Sequence, residues 1–150
     1  MGMQVLNFRP YSFRFKNKEN KALIFDEIRK KFVVLQPEEW VRQHVLHFLI
    51  YDKGYPRNRI QVEKQIKVNT LTKRFDIIVY EPNGTIQMLV ECKSPSTPIR
   101  QEVFDQIAQY NRTLNAKLLI ITNGLDHYFF RVDAENEKYD FIQDIPDLSL

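Results

Sequence analysis

Arg74-Phe-Asp-Ile-Ile-Val-Tyr-Glu-Pro-Asn-Gly-Thr-Ile-Gln-Met-Leu-Val-Glu-Cys-Lys93 is the stretch on which the reading of this chain turns. Two runs rich in Ile, Val, Phe and Tyr, 75–80 and 86–92, flank Asn83-Gly84. That dipeptide favours a tight hairpin turn because both residues tolerate positive φ. With Asn83 and Gly84 at the centre of the turn, Pro82 falls opposite Thr85, Asp76 opposite Glu91 and Arg74 opposite Lys93. Strand side chains alternate with period two, so these last four residues are expected on one face. Phe75, Ile77, Val79, Met88, Val90 and Cys92 read as the opposite, core-facing side.

Two adjacent carboxylates among apolar neighbours repel each other and resist desolvation unless a cation lies between them. A hard divalent ion such as Mg²⁺ (or Mn²⁺), which takes oxygen ligands and keeps some of its water, suits that place. Lys93, two residues past Glu91, could then orient a water or offset phosphate charge. The plainer reading is a solvated ladder of charges across a half-exposed hairpin.

Upstream, residues 1–36 read as an arm. Tyr11 to Lys16 alternates aromatic and polar residues, 17–20 is a polar turn, and Ala22 to Phe25 is apolar again. Lys16, Lys18, Lys21, Arg29, Lys30 and Lys31 make the arm basic, which fits either a solvated surface or phosphate contact. Phe32 to Leu35 is a short strand leading out. Pro37 then opens a helix expected to run to Asp52, with Glu38 and Glu39 complementing the dipole of its first turn. Gly54-Tyr55-Pro56 ends it. In the following strand, 60–68, Ile60, Val62, Lys64, Ile66 and Val68 share a face by alternation, which leaves Lys64 unexplained there.

Downstream of the hairpin, Thr97 as cap and Pro98 as first residue begin a second helix expected to reach Leu114. Its apolar line is Ile99, Val103, Ile107, Tyr110 and Leu114, with Gln106 beside it. Residues 117–122 read as a buried strand and 127–132 as another, followed by a polar tail anchored by Tyr139, Phe141 and Ile142. The order of elements predicts an α/β (α+β) fold, a mixed β-sheet flanked by helices. The expected division is a hairpin arm, 1–36, packed on a domain spanning 37–150.

The 150 residues include 22 Lys and Arg against 19 Asp and Glu, so charge placement carries more information than the total. One cysteine excludes an intrachain disulfide and fits a reducing cytoplasm. No signal-like or membrane-length apolar run occurs, so a cytoplasmic location is expected.

Asp76 followed by Glu91-Cys92-Lys93 at the end of the next strand resembles the Asp…Glu-x-Lys core of the PD-(D/E)xK nuclease superfamily, and the element order resembles its restriction-endonuclease-like core. A closer resemblance is to the N-terminal nuclease domain of type I restriction enzyme R subunits, in a small stand-alone form. It rests on 37–44 (Pro-Glu-Glu-Trp-Val-Arg-Gln-His), 73–77, 90–93, 104–111 and Thr122-Asn123-Gly124. The resemblance implies that Asp76 and Glu91 bind metal, with the Cys92 backbone carbonyl an extra ligand and Glu39 an outer or direct contact. It implies that Lys93 is the catalytic lysine and that Gln106 and Tyr110 support the site and touch DNA. Phe75 stands where the superfamily's name has proline.

The function implied is Mg-dependent hydrolysis of DNA phosphodiester bonds. Arg57, Arg59, Lys67, Lys73 and Arg74 are expected to hold the DNA backbone, which fixes register without reading sequence. A nucleic-acid-binding or assembly module that does not cut is the alternative. No Gly-x-x-x-x-Gly-Lys-Ser/Thr loop is present, so an ATP-driven motor is not expected in these residues. A homodimer or partner restriction subunits are the assemblies to look for. A zinc site from His44, His47, Cys92 and His127 matches no usual ligand spacing.

Overall fold

Strand pairing in the computed structural model, which describes residues 3–148, produces two separate sheets. The first is a meander of β1 (Phe15–Lys18), β2 (Lys21–Asp26) and β3 (Lys31–Val34), so the short strand expected at 32–35 does not lead out of the arm but pairs with its hairpin as a third strand. Glu19 and Asn20 both take positive φ, 52° and 64°, in the two-residue turn between β1 and β2. Such a turn matches the twist of the strands it joins.

The second sheet has six strands in sequence order: β4 (Ile60–Val68), β5 (Leu71–Tyr80), β6 (Ile86–Cys92), β7 (Leu118–Thr122), β8 (His127–Asp133) and β9 (Lys138–Ile142). All neighbours are antiparallel except β6 and β7, which run parallel and are joined through α2 (Gln101–Leu114). A parallel pair needs such a crossover, and a helix supplies it. The fold is thus mixed α+β, as the element order predicts. The last strand replaces the expected polar tail: Tyr139 donates to the Ala108 carbonyl of α2, and Ile145 beyond it is buried.

One helix covers each face. α1 (Pro37–His47) continues into a π-helical turn at 48–52, and it packs Val41, Val45, Leu46 and Leu49 onto Ile77, Val79, Met88, Val90 and Cys92. On the other face Ile107 of α2 meets Phe75, Ile78, Leu89, Leu119 and Ile121. α2 starts at Gln101 with Arg100 as cap, three residues later than Thr97-Pro98 predicts. Thr97 instead closes a turn onto Ser94, and its carbonyl accepts a bond from Asn123.

Strict alternation fails at one place, and that place matters. Phe75 packs with α2, while Ile77 and Val79 pack with α1. On the neighbouring strand, Ile60 and Val62 belong to the α1 side and Ile66 to the α2 side. Glu63, between Val62 (opposite Ile77) and Lys64 (opposite Phe75), has φ of 53°. A left-handed residue in a strand breaks the period of two, so both strands change face together. The expected single core face of β5 is therefore corrected, and so is the shared face of β4. Lys64, exposed, needs no special account. Asp76 lies at the crossover point.

The hairpin tip also differs. The core register Ile77↔Val90 and Val79↔Met88 carries Asp76 toward Glu91, but Tyr80 pairs with Ile86, which leaves Gln87 as an extra residue. The Glu81 N–H then donates to the Thr85 carbonyl, so Pro82 does not face Thr85. The Gly84 amide closes the turn onto Glu81, with φ at Gly84 of 90°.

Candidate active site

α1 does an unusual thing for a short helix: it buries charge. Glu39 is 8% exposed and Arg42 5%. Three residues apart on a helix, they are neighbours, and Arg42 Nη1 donates to Glu39 Oε1 at 2.6 Å. The other arm of the same guanidinium donates to Asp76 Oδ1 at 2.7 Å. Asp76 Oδ2 accepts the Cys92 backbone N–H at 2.7 Å, which ties β5 to the end of β6. Burial opposes the charge on Arg42, yet Asp76 and Glu39 outweigh it and its pKa is raised.

Glu91 completes the pair of acids. Its carboxyl is within hydrogen-bonding reach of Asp76, and Lys73 Nζ approaches Oε2 at 3.1 Å. Burial, then the Asp76 carboxyl, push the Glu91 pKa up to about 7, against the pull of Lys73. The two carboxyls thus share a poorly solvated place in which Glu91 holds its proton well above the usual carboxylate range.

The polar chain continues into the arm. Glu39 Oε2 accepts from Arg29 at 2.8 Å and from Gln43 at 3.0 Å. Asp26, fully buried on β2, accepts from Gln43 and from the Arg29 guanidinium, each at 2.8 Å. Burial would raise the Asp26 pKa, but the Arg29 amide and guanidinium and the Gln43 amide overcome it and leave it lowered.

The other expected site residues fall into three groups. Asp76 and Glu91 are brought together, Glu39 is joined to Asp76 only through the Arg42 guanidinium between them, and Cys92 is joined to Asp76 through its amide. Lys93 forms no ion pair with Asp76 or Glu91; it lines an open cleft with Glu38, Ser94 and Thr97, where burial and the Asp76 charge raise the Glu38 pKa against the weaker pull of Arg42 and Lys93. Tyr110 meets Phe75 edge-on at 6.2 Å and lies 5.9 Å from Lys73 Nζ, one residue removed from Glu91. Gln106 is exposed on α2.

Among the expected DNA contacts, Lys73 is held by Glu91, and Arg57 by Glu27 and Tyr51 at 2.8 and 2.7 Å. Lys67 and Arg74 are exposed on the β4–β5 hairpin, and Arg59 is half-buried. The imidazoles are spoken for: His44 Nδ1 meets the Trp40 carbonyl, His47 meets Glu27, and His127 Nδ1 meets Thr122.

Sequence reasoning missed Arg42, Asp26, Arg29 and Lys73 as members of the acid cluster. For Arg42 a signal existed, since it follows Glu38 and Glu39 by four and three residues inside a quoted motif. Asp26 and Lys73 gave none, because only tertiary packing brings them here.

A family model for the type I restriction enzyme R protein N terminus matches residues 37–146. The chain belongs to that family. Among curated proteins none matches. A fragment structure assigned to an HsdR subunit of a type I restriction enzyme from Vibrio vulnificus YJ016 is similar at 20% identity and a TM-score of 0.51. The similarity covers 75% of this chain but 24% of that one, so the chain spans about a quarter of its relative's length. A protein of DUF820 from Anabaena variabilis ATCC 29413, assigned as a nuclease, is similar at 14% identity and a TM-score of 0.50, over 89% of this chain and 86% of that one. At these identities the likeness is one of fold. The family match begins at Pro37, so the β1–β3 sheet and Asp26 lie outside it.

Proposed function

We propose that this chain hydrolyses DNA phosphodiester bonds at Asp76 and Glu91, with a Mg²⁺ or Mn²⁺ ion held between them. The observation that carries the reading is the convergence of these two carboxyls, one from each strand of the central hairpin, with Glu91 raised to about 7 by burial and by Asp76. Among the described residues no three acids, imidazoles or thiols surround one point. The donor set therefore suits an ion that takes one or two carboxylates and fills the rest with water, as Mg²⁺ does. When bound, such an ion would acidify a water and offset charge on the phosphate.

The protein's own groups have separable tasks. Lys73 orients the Glu91 carboxylate, and Arg42 fixes Asp76 against Glu39. Lys93, in the open cleft beside Glu38, is in a position to meet a phosphate entering past the start of α1. Family membership supports a role beside partner restriction subunits, since the motor loop is not in these residues.

One observation favours a second reading, a DNA-binding or assembly module without cleavage. Arg42 and Lys73 already neutralise both acids, so an ion must compete with them. A plasmid-nicking assay against Mg²⁺ and Mn²⁺ concentration decides between the two. Cleavage that needs metal and is lost in Glu91→Gln supports the nuclease; DNA binding with no cleavage at any metal concentration supports the module.

A further inference from the structure

The arm's three-stranded sheet has two unlike faces. The inner one packs on α1: Ile24 and Asp26 are fully buried, Phe13 lies 5.2 Å from Trp40 and 4.4 Å from His47, and Phe15 lies 6.2 Å from Trp40. The outer one carries the residues between these. There Phe25 and Phe32 are paired across β2 and β3, edge to face at 5.2 Å, and both are half-exposed. The Arg14 guanidinium sits 4.4 Å from the Phe25 ring, and Lys16 Nζ sits 5.4 Å from the Phe32 ring.

Charge is concentrated in the same place. Residues 9–36 hold eight Lys and Arg against three acids, in a chain that is nearly balanced overall. Two of those acids are already engaged: Asp26 points inward to Arg29, and Glu27 is held by Arg57, Tyr51 and His47. Arg14, Lys16, Lys18, Lys21, Lys30 and Lys31 make no ion pair among the described residues. Lys18 and Lys21 even stand directly opposite each other, a cross-strand pairing that costs stability unless an anion lies over it.

We propose that this outer face binds single-stranded nucleic acid. On binding, the exposed Arg14 and Lys16 heads move from the ring faces to the phosphates, a base stacks on Phe25 or Phe32 in their place, and the flanking lysines hold the rest of the backbone. Aromatic rings ringed by cations on a sheet suit unpaired bases, whose π-faces are accessible, whereas in a duplex those faces are hidden. An acidic peptide would satisfy the lysines but not the rings. The proposal does not rest on cleavage at Asp76 and Glu91, and its test is run without metal.

The test measures binding in EDTA to a fluorescent 20-nucleotide oligothymidylate, to an abasic strand of the same charge, and to a duplex of the same length. The expected result is that oligothymidylate binds at least about tenfold more tightly than the abasic strand, and that Phe25→Leu with Phe32→Leu removes that margin. Duplex binding stays unchanged. Arg14→Gln with Lys16→Gln should instead reduce the salt dependence, by about 1.4 in the log–log slope. Equal affinity for the abasic strand, preference for duplex, displacement by polyglutamate at equal charge, or full retention of the margin in the leucine variant would each overturn the proposal. Should the leucine variant fail to fold, photocrosslinking of a 5-iodouracil strand to the unaltered protein decides: crosslinks at Phe25 or Phe32 support the proposal, and crosslinks confined elsewhere refute it.

Discussion

α1 and α2 cover opposite faces of one sheet, and they are built by different rules. α1 has eight buried residues in eleven, and five of them are polar: Glu39, Arg42, Gln43, His44 and His47. α2 has fourteen residues and only Ile107 and Asn111 buried. The single buried polar group of α2 closes its own end, where Asn111 exchanges two bonds with Ala116. Those of α1 reach outward, to Asp26, Arg29 and Asp76. Buried charge is costly and survives only when paired, so a helix that carries this much of it is organised around a site, while its counterpart is organised around packing.

The sharpest way to break that contrast is at Arg42. Arg42→Ala leaves Glu39 and Asp76 buried without their shared cation, and a loss of about 3–5 kcal/mol is expected in urea unfolding. A loss below 1 kcal/mol would mean that the α1 network is solvated and loose. The same geometry sets the sign for Asp76→Ala, which relieves the repulsion between the two carboxyls but also removes two bonds. Asp76 accepts from Arg42 and from the Cys92 amide, so its removal should lower the metal-free melting temperature.

On the α2 side the corresponding loss is apolar. Ile107→Ala should cost about 2–4 kcal/mol by leaving a cavity against Phe75 and Leu89. It should do so equally at every pH between 5 and 8, because no titrating partner is involved.

Glu91 separates the two faces by pH. A folded pKa raised above 4.5 means that the folded protein keeps a proton the unfolded chain has lost. Metal-free stability should therefore fall as pH rises from about 4.5 to about 7 and level off above that. Asp26, with a lowered pKa, works in the other direction: its contribution is complete above its unfolded value of 3.8 and is lost as pH falls from there through the lowered folded value. Glu91→Gln should remove the slope between 4.5 and 7 and leave the acid limb in place; an unchanged slope would remove Glu91 from the account. Smallest of all is Gln106→Ala on the exposed side of α2, expected to change stability by less than about 0.5 kcal/mol. A change in DNA binding or cleavage there would restore it to the site.

The sequence made the frame readable because the frame rests on local signals. The strand bounds of β4, the length of α1 with its π-turn, and the Asp76–Glu91 register follow from periodicity, Pro37 and the Asn83-Gly84 turn. The face change at Glu63 and Phe75 was not readable, since a single left-handed residue inside a strand has no signature when it is a glutamate. Lys73 was readable as basic but not as the partner of Glu91, because strand alternation was assumed through the very point where it fails. Asp26 belongs to a different sheet, and nothing local joins it to α1.

The central claim is that Asp76 and Glu91 hold a divalent ion. Calorimetric titration of Mn²⁺ into the unaltered protein and into Asp76→Asn with Glu91→Gln tests it most directly, with the melting temperature of each sample followed alongside. The account predicts one binding event and a rise in melting temperature in the unaltered protein, and neither in the double variant. Equal heats and equal shifts in both proteins would place the ion elsewhere and contradict the account.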